Sequence, residues 1–476
     1  SEMCIRDRYD ANNNLLKTTD AEGNSTSYTY DKYGRMTSST DANGNVTTYD
    51  EYDLNGLCTK KTLPNGQSIK IVYNKEGMII QTTLLAGEDG GEDISVFYAY
   101  DAAGRVTEYT NEEGYTVYTE YDANGNIVKL TDAEGNVVTN KYDEVNALVL
   151  TTSAIDVDTQ YTYDSVGNLV ETIENLNTTR EKQTTNTFDN LRRISTSTDA
   201  ESGVSSYTYD RLGNIIAVTD PNGGVNTYSY DSMGRITDSE NAVGSKKTYT
   251  YNDIGALASQ QNARGQETTY EYYKNGWIKS FTDELGTVSY TYDGNGNVLT
   301  VTDENGTITR EYDNMNRVTK YTDFRGNTVE YSYDQIGNLV AVTYPGGRIV
   351  RYTYYKTGQI KTVTDWNDRM TSYEYDGNGR LIKTTRPEGS VEERTYDAVG
   401  RLVTIVDKNG ENVINQTVYS YDESNNVTNV SMSDSTSIDG LTSAEMKYNA
   451  ANQLIEYNGE EAVSYTHLTL PTKLEV

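Results

Sequence analysis

Apolar and polar residues alternate with period two along almost the whole chain, in short runs that are each closed by a polar, Gly-containing cluster. The stretch Tyr121-Asp122-Ala123-Asn124-Gly125-Asn126-Ile127-Val128-Lys129-Leu130-Thr131-Asp132-Ala133-Glu134-Gly135-Asn136-Val137 states the pattern twice, each half reading Asp-x-x-Gly-Asn followed by alternating residues. Asp at the first and Gly at the fourth position suit a type I turn, with Gly in the left-handed conformation that closes a hairpin with a bulge. Each half therefore predicts a turn and a strand. The same block recurs at Tyr100-Asp101-Ala102-Ala103-Gly104-Arg105, Tyr163-Asp164-Ser165-Val166-Gly167-Asn168, Tyr209-Asp210-Arg211-Leu212-Gly213-Asn214 and Tyr333-Asp334-Gln335-Ile336-Gly337-Asn338.

The aromatic residue before the first turn marks the repeat from Tyr9, Tyr30 and Tyr52 through Phe188 to Tyr421 and Tyr448, and 13 of the 20 intervals are 21 residues long. A second turn follows the first by ten residues, as from Asp31 to Asp41, Asp122 to Asp132 and Asp210 to Asp220. Two equivalent turns per unit reverse the chain twice, which predicts an antiparallel meander and not the single coil per repeat of a parallel β-helix. Pro64, Pro221, Pro345 and Pro387 each stand two residues before a Gly. That is position i+1 of a turn, where a fixed φ is welcome and no ladder N–H is lost. In Tyr28-Thr29-Tyr30, Tyr161-Thr162-Tyr163 and Tyr290-Thr291-Tyr292 both tyrosines fall on one strand face, and successive repeats are expected to stack them into an aromatic ladder. The opposite face is Thr, Ser, Glu and Lys. The fold class is therefore all-β, an antiparallel β-hairpin repeat array with units of about 21 residues. Two strands per unit at ~4.8 Å each make a sheet roughly 200 Å along its contour, and built-in twist is expected to curl it into a spiral, tube or partial shell.

Composition changes this picture little. Of 476 residues 35% are hydrophobic, with 43 Tyr against 4 Phe and 2 Trp, so the core is expected to be thin and aromatic. Period-two runs between turn signals exclude disorder for most of the chain. Lys and Arg number 40 and Asp and Glu 71, a formal charge of −31 that repels nucleic acid and anionic lipid. Much of the acidity belongs to turns, where Asp accepts backbone N–H groups. Cys4 and Cys58 are far apart and belong to no Cys/His cluster, so neither a disulfide framework nor a zinc site is expected, and Cys58 reads as a buried strand residue. No apolar run reaches membrane-spanning length, and no charged-then-apolar secretion signal opens the chain.

The array is expected over residues 9–457, without a helical domain or linker. The two ends, Ser1 to Arg8 and Ser464 to Val476, lack the motif and resemble translated sequencing-library adapter. On that expectation residues 1–8 are an artefact, residues 458–476 are a decayed repeat end followed by another, and Cys4, His467 and Pro471 are not native. The native termini, with any signal peptide or C-terminal domain, would then be missing. Longer intervals mark insertions at Ala86 to Ser95, Asn175 to Asn186 and Asn429 to Ala444, and such loops often carry recognition on a rigid scaffold.

The repeated Tyr-Asp-x-x-Gly-[Asn/Arg]-[Leu/Ile/Val]…Thr-Asp-x-x-Gly-Asn pattern resembles the RHS-repeat, or YD-repeat, family from Tyr9 to Tyr457. That family includes bacterial polymorphic toxins, wall-associated proteins, shell components of insecticidal toxin complexes and animal teneurins. The resemblance implies a β-strand spiral around a cavity that holds a C-terminal toxin, released after self-cleavage in some members. Uniform Asp-x-x-Gly turns with few Phe or Trp look more like a bacterial member than a teneurin. Family shells end in an Asp-Pro-x-Gly-rich core segment; here Asp220-Pro221-Asn222-Gly223 has that look but occupies an ordinary repeat turn, so no residue inherits the protease role. The array is also short for a closed shell. It resembles part of one.

Candidate chemistry is sparse. Asp41 to Asn45 and Asp122 to Asn126 are similar to oxygen-rich calcium loops, yet the distal Glu of an EF-hand and the Gly-Gly-x-Gly-x-Asp string of calcium β-helices are both absent, so turn formation accounts for them. The cluster Glu88, Asp89, Glu92 and Asp93 is a slightly better cation candidate, though a solvated loop explains it better. His467 stands without a partner motif, and no glycine loop opens a helix to hold phosphate. Paired carboxylates for glycoside cleavage need only a suitable separation, which sequence does not give. No catalytic, cofactor or metal residue is assigned, and an enzyme is not expected. Trp277 and Trp366 offer rings that stack on sugars, against the plainer reading that they fill the sheet's buried face.

Three functions are thus weighed. The first is an encapsulating β-shell segment of a secreted or surface bacterial protein, its partner a C-terminal effector. The second is an extended adhesin binding cell-surface glycans through Trp277 and Trp366, and the third an acidic-residue hydrolase.

Overall fold

The turn is built around one aspartate. In Asp122 to Asn126, Oδ1 of Asp122 accepts the backbone N–H groups of Asn124 and Asn126, both at 2.9 Å, and Oδ2 accepts Nδ2 of Asn126 at 2.8 Å. The backbone closes the same loop, Gly125 N–H donating to the Asp122 carbonyl at 3.2 Å and Asp122 N–H to the Asn126 carbonyl at 3.0 Å. Gly125 sits at φ 97°, where a side chain would strain the chain. Where Arg replaces the last Asn the pattern holds, with Arg235 Nε donating to Oδ2 of Asp231 at 2.7 Å. Beyond this first turn the register slips by one residue: Glu120 pairs with Lys129 but Tyr121 with Ile127, the bulge expected of the motif. The second turn, at Asp132, joins strands in unbroken register from Thr131↔Val137 to Lys129↔Thr139. All four prolines before Gly occupy position i+1, with i+3 N–H groups of Gly66, Gly223, Gly347 and Gly389 closing their turns at 2.9, 3.0, 3.1 and 2.9 Å.

A computed structural model describes residues 6–86, 92–433 and 443–461. They contain 43 strands, from Arg6–Tyr9 to Glu460–Glu461, and no helix. The insertions lengthen hairpins: Leu169–Leu176 and Lys182–Phe188 form one of them, while Glu88, Asp89, Cys4, His467, both extreme ends and most of Asn429 to Ala444 lie outside the described residues. The chain divides into two units, the first comprising Ser1–Thr116, Asp210–Ile216 and Asn226–Met370, the second Val117–Tyr209, Ala217–Val225 and Thr371–Val476. Inside the first, antiparallel pairing runs strand to next strand, as from Ser25–Tyr30 to Met36–Thr40 and from Gly286–Tyr292 to Val298–Asp303. Inside the second the same rule holds, as from Val137–Tyr142 to Leu148–Thr152 and from Ser390–Tyr396 to Leu402–Asn409. First turns therefore share one end of the strands and second turns the other.

One sheet face is polar and exposed, carrying cross-strand pairs such as Thr29–Ser38 at 2.6 Å, Lys129–Glu120 at 2.7 Å and Lys383–Glu374 at 2.9 Å. The other bears the tyrosines and aliphatics, and it is only half-buried. Among the described residues the buried hydrophobics are Val342, Val350 and Ala444, and no large side chain is fully enclosed. Within each unit this face thus lacks the second packed layer that most sheets acquire. Cys58, expected to be buried, is half-buried in the strand Cys58–Thr62.

The tyrosine ladder is corrected in kind. Markers in successive repeats stand two strands apart, about 9.6 Å, which exceeds ring-contact distance. Instead most marker hydroxyls reach back to the strand before: Tyr30 Oη donates to the Leu15 carbonyl at 2.9 Å, Tyr163 to Leu148 at 3.0 Å, Tyr230 to Ile215 at 2.7 Å and Tyr354 to Leu339 at 2.6 Å. Ring pairs occur locally, as at Tyr98–Tyr109, 5.3 Å between centroids.

Candidate functional site

The last residue of the first turn fills the gap between one tyrosine and the next. Arg235 lies 4.3 Å from the Tyr251 ring and Arg317 4.5 Å from Tyr333, each guanidinium also gripping its own turn aspartate. Trp277 occupies this same position, in the turn Tyr273 to Trp277, and its ring lies 5.2 Å from that of Tyr292. It also packs beneath the following turn, where a Cβ on Gly296 would stand 2.9 Å from the indole. Trp277 is half-buried and replaces an arginine in the stack.

Trp366 is placed differently. It stands at the tip of the second turn Asp365 to Arg369 and is 46% exposed. Tyr344 meets it edge-on at 6.4 Å and the Arg348 guanidinium lies 5.2 Å from its ring. The two tryptophans thus have separate neighbours and do not form one site. Tyr344, Arg348 and Trp366 make a small exposed platform on adjacent second turns.

The described acidic candidates are bound by their own turns or by nearby donors. Oδ1 of Asp41 accepts the N–H groups of Asn43 and Asn45 at 3.0 and 2.8 Å, and Oδ2 accepts Asn45 Nδ2 at 2.8 Å. Glu92 pairs with Lys356 Nζ at 2.8 Å, and Asp93 accepts the Ala86 N–H at 2.7 Å. Among the described residues no three His, Cys, Asp or Glu side chains gather as a metal-holding group, and no helix is long and apolar enough to cross a membrane.

The residues that the motif reading passed over are those at the turn tips. In the first unit the second turn Asp41-Ala42-Asn43 faces the first turn Asp293-Gly294-Asn295 in reciprocal fashion. Ala42 N–H donates to Asn295 Oδ1 and Gly294 N–H to Asn43 Oδ1, both at 3.0 Å; Asn43 Nδ2 donates to Asp293 Oδ2 at 2.9 Å and Asn295 Nδ2 to Asp41 Oδ2 at 2.7 Å. The second unit repeats the arrangement with Asp132-Ala133-Glu134 against Asp376-Gly377-Asn378: Ala133 N–H donates to Asn378 Oδ1 at 3.1 Å, Gly377 N–H to Glu134 Oε1 at 2.5 Å and Asn378 Nδ2 to Asp132 Oδ2 at 2.6 Å. Each tip's outward N–H, which no strand can satisfy, finds the third residue of the facing turn. Burial in the seam pushes the Asp132 carboxyl upward, but amide donors from Asn136 and Asn378 outweigh it and hold the group below the usual carboxylate range. The seam continues through Lys356 N–H to Glu113 at 2.6 Å in the first unit and Ala450 N–H to Glu201 at 2.7 Å in the second. The recurrent Ala-Asn or Ala-Glu at second-turn tips was the available signal.

Family comparisons agree with this geometry. The RHS Repeat profile matches residues 9–46, 34–68, 100–137, 186–225, 209–246 and 396–437, and the Teneurin YD-shell profile matches residues 258–392. A comparison with curated protein sequences returns no match. Among solved structures, the chain is similar to the crystal structure of TcdB2-TccC3-TEV, with TM-score 0.59 and 15% identity over 95% of this chain and 35% of that one. TcdB2-TccC3 without its hypervariable C-terminal region gives TM-score 0.57 and 14% identity over 95% of this chain and 35% of that one, and TcdB2-TccC3 gives 0.53 and 14% over 94% and 34%. At such identities the likeness is one of fold, and the chain spans about a third of the length of these structures. With tyrosine latches, aspartate turns and repeat matches spread from residue 9 to residue 437, the chain belongs to the RHS/YD-repeat family.

Proposed function

We propose that this chain is a wall segment of an encapsulating RHS/YD shell, acting by steric enclosure and without catalysis of its own. The observation that carries this reading is the sheet face of tyrosines and aliphatics that, among the described residues, no second layer covers within either unit. A continuous hydrogen-bonded ladder makes a stiff wall, and a half-exposed apolar face suits contact with an unfolded or partly folded polypeptide. The Teneurin YD-shell match and the fold shared with TcdB2-TccC3 support a structural role. The partner is a C-terminal effector of the complete protein, and the setting is secreted or at the cell surface. The adapter reading of residues 1–8 and 464–476 belongs to the same proposal, and sequencing across both ends of the parent gene tests it.

Protease protection tests the enclosure. In the product of the complete gene, the C-terminal segment is expected to resist protease while the wall is intact and to become susceptible once the wall is denatured. Equal susceptibility in both states would remove the proposal.

A second reading, adhesion through glycans, draws on one observation, the exposed Tyr344–Arg348–Trp366 platform. It predicts glycan-array retention that falls when Trp366→Ala is introduced, whereas Trp277→Ala weakens the stack on Tyr292. Retention unchanged by Trp366→Ala would count against it.

A further inference from the structure

The seams show where an apolar first-turn tip lies when a facing turn partly shields it. In the first unit Ile336, third residue of its turn, lines a cleft with Leu84, Leu85 and Ile94 and is 38% exposed. In the second, Val399 lines one with Ile155 and Val157 and is 37% exposed. Both are first-turn tips lying against the second-turn end of an earlier stretch of sheet. The same turn position on the second unit's earlier stretch holds Val145, Val166 and Leu191, on three successive first turns, with exposures of 79%, 52% and 69%. Those turns join Val137–Tyr142 to Leu148–Thr152, Asp158–Tyr163 to Leu169–Leu176 and Lys182–Phe188 to Ile194–Thr198, so their tips line one edge of one sheet. Spaced two strands apart, they span about 20 Å. Isolated exposed apolar residues are ordinary, but a row at a position that elsewhere in the molecule is a docking position is not.

We propose that this rim docks the second-turn rim of a second copy of this chain, repeating between molecules the turn-to-turn seam that each unit makes within itself. A complementary rim is present: the second turns of the first unit's Asn226–Met370 stretch expose Leu285 at 85% and Phe324 at 47%. Charge agrees with the pairing. Arg192, exposed beside Leu191, complements exposed Glu284 beside Leu285. The contact joins unlike surfaces, so it is heterologous and propagates head to tail instead of closing a two-fold dimer. It does not depend on what the wall encloses.

Sedimentation velocity on the full chain tests the proposal, at a salt concentration that screens the charge of −31. Wild type is expected to sediment faster as concentration rises. The triple variant Val145→Asp, Val166→Asp, Leu191→Asp and the single variant Leu285→Asp are each expected to weaken association about tenfold or more. An equimolar mixture of the two variants retains one good rim of each kind and should recover a dimer that grows no further. All substitutions fall at exposed turn tips, and an unchanged strand circular dichroism spectrum checks folding. A wild-type chain that stays monomeric at every soluble concentration, or a triple variant that associates as wild type does, would overturn the proposal, as would a mixture that fails to dimerise.

Discussion

The tyrosine of most Tyr-Asp pairs acts through its hydroxyl, and the chain carries a natural control. Tyr163 donates to the Leu148 carbonyl at 3.0 Å, whereas Phe188 occupies the same repeat position without a hydroxyl. Tyr163→Phe should therefore cost about 1 kcal/mol, and Phe188→Tyr, by reaching the Leu169 carbonyl, should gain a comparable amount. Urea midpoints or amide exchange in the two hairpins would show it, and opposite or null shifts would contradict the latch. The aspartates set the pH range. Hydrogen bonds from the side chain of Arg105 to Asp101, and from that of Asn126 to Asp122, hold both carboxyls below their ordinary values. Depressed carboxylates stabilise the fold above the unfolded value near pH 4, and that stability is lost as pH falls through the folded values. Burial raises the Tyr163 phenol, so its contribution is present below about pH 10 and is lost as pH rises through the folded value. Near-ultraviolet circular dichroism should stay flat between these limits and collapse in acid; loss of signal at neutral pH would count against the turn account. Asp and Gly were legible in the sequence because turn chemistry is local. The carbonyl that each tyrosine reaches, 15 residues upstream in most repeats, was not, since it depends on the register of the intervening strand.

Hairpins are alike within themselves and differ in what their tips meet, which two glycines separate. Gly44 has φ 88° and open space around it, so Gly44→Ala strains only its own turn. Gly294 has no such conformation, yet a Cβ there would stand 2.9 Å from the Ala42 carbonyl oxygen. Gly294→Ala should accordingly cost about 1–3 kcal/mol by forcing the tips apart. Amide exchange at Ala42 and Gly294 should quicken while the strands Val46–Tyr52 and Gly286–Tyr292 keep their protection. Gly44→Ala should leave the Gly294 amide as slow as in wild type. A Gly294→Ala chain with an unchanged Ala42 amide would mean the seam bonds do not hold in solution. The hairpins were readable from period two and the Asp-x-x-Gly spacing. The seams were not, because they join residues 243 to 270 apart, and the repeat length says nothing about which distant turn a tip will face. Trp277 shows the same limit: its place at the last position of a turn was visible, but its substitution for an arginine against Tyr292 required the neighbouring hairpin.

Over the whole chain, the sheet gains long-range order from its turn tips and not from a second layer, since each unit leaves its tyrosine and aliphatic face half-buried. Such an array should unfold less cooperatively than a layered domain of its length, as nearest-neighbour contacts dominate repeat proteins. The repeat family, the all-β class and the antiparallel order were legible because each unit restates them. What a wall of this kind would enclose was not, because recognition of a flexible polypeptide would leave no fixed motif in it. The shell claim is tested most directly by electron cryo-microscopy of the complete gene product. A hollow particle is expected, its wall containing residues 9–457, with the tyrosine and aliphatic face turned toward polypeptide density inside. A straight open rod, or an interior empty of polypeptide in the uncleaved protein, would contradict it.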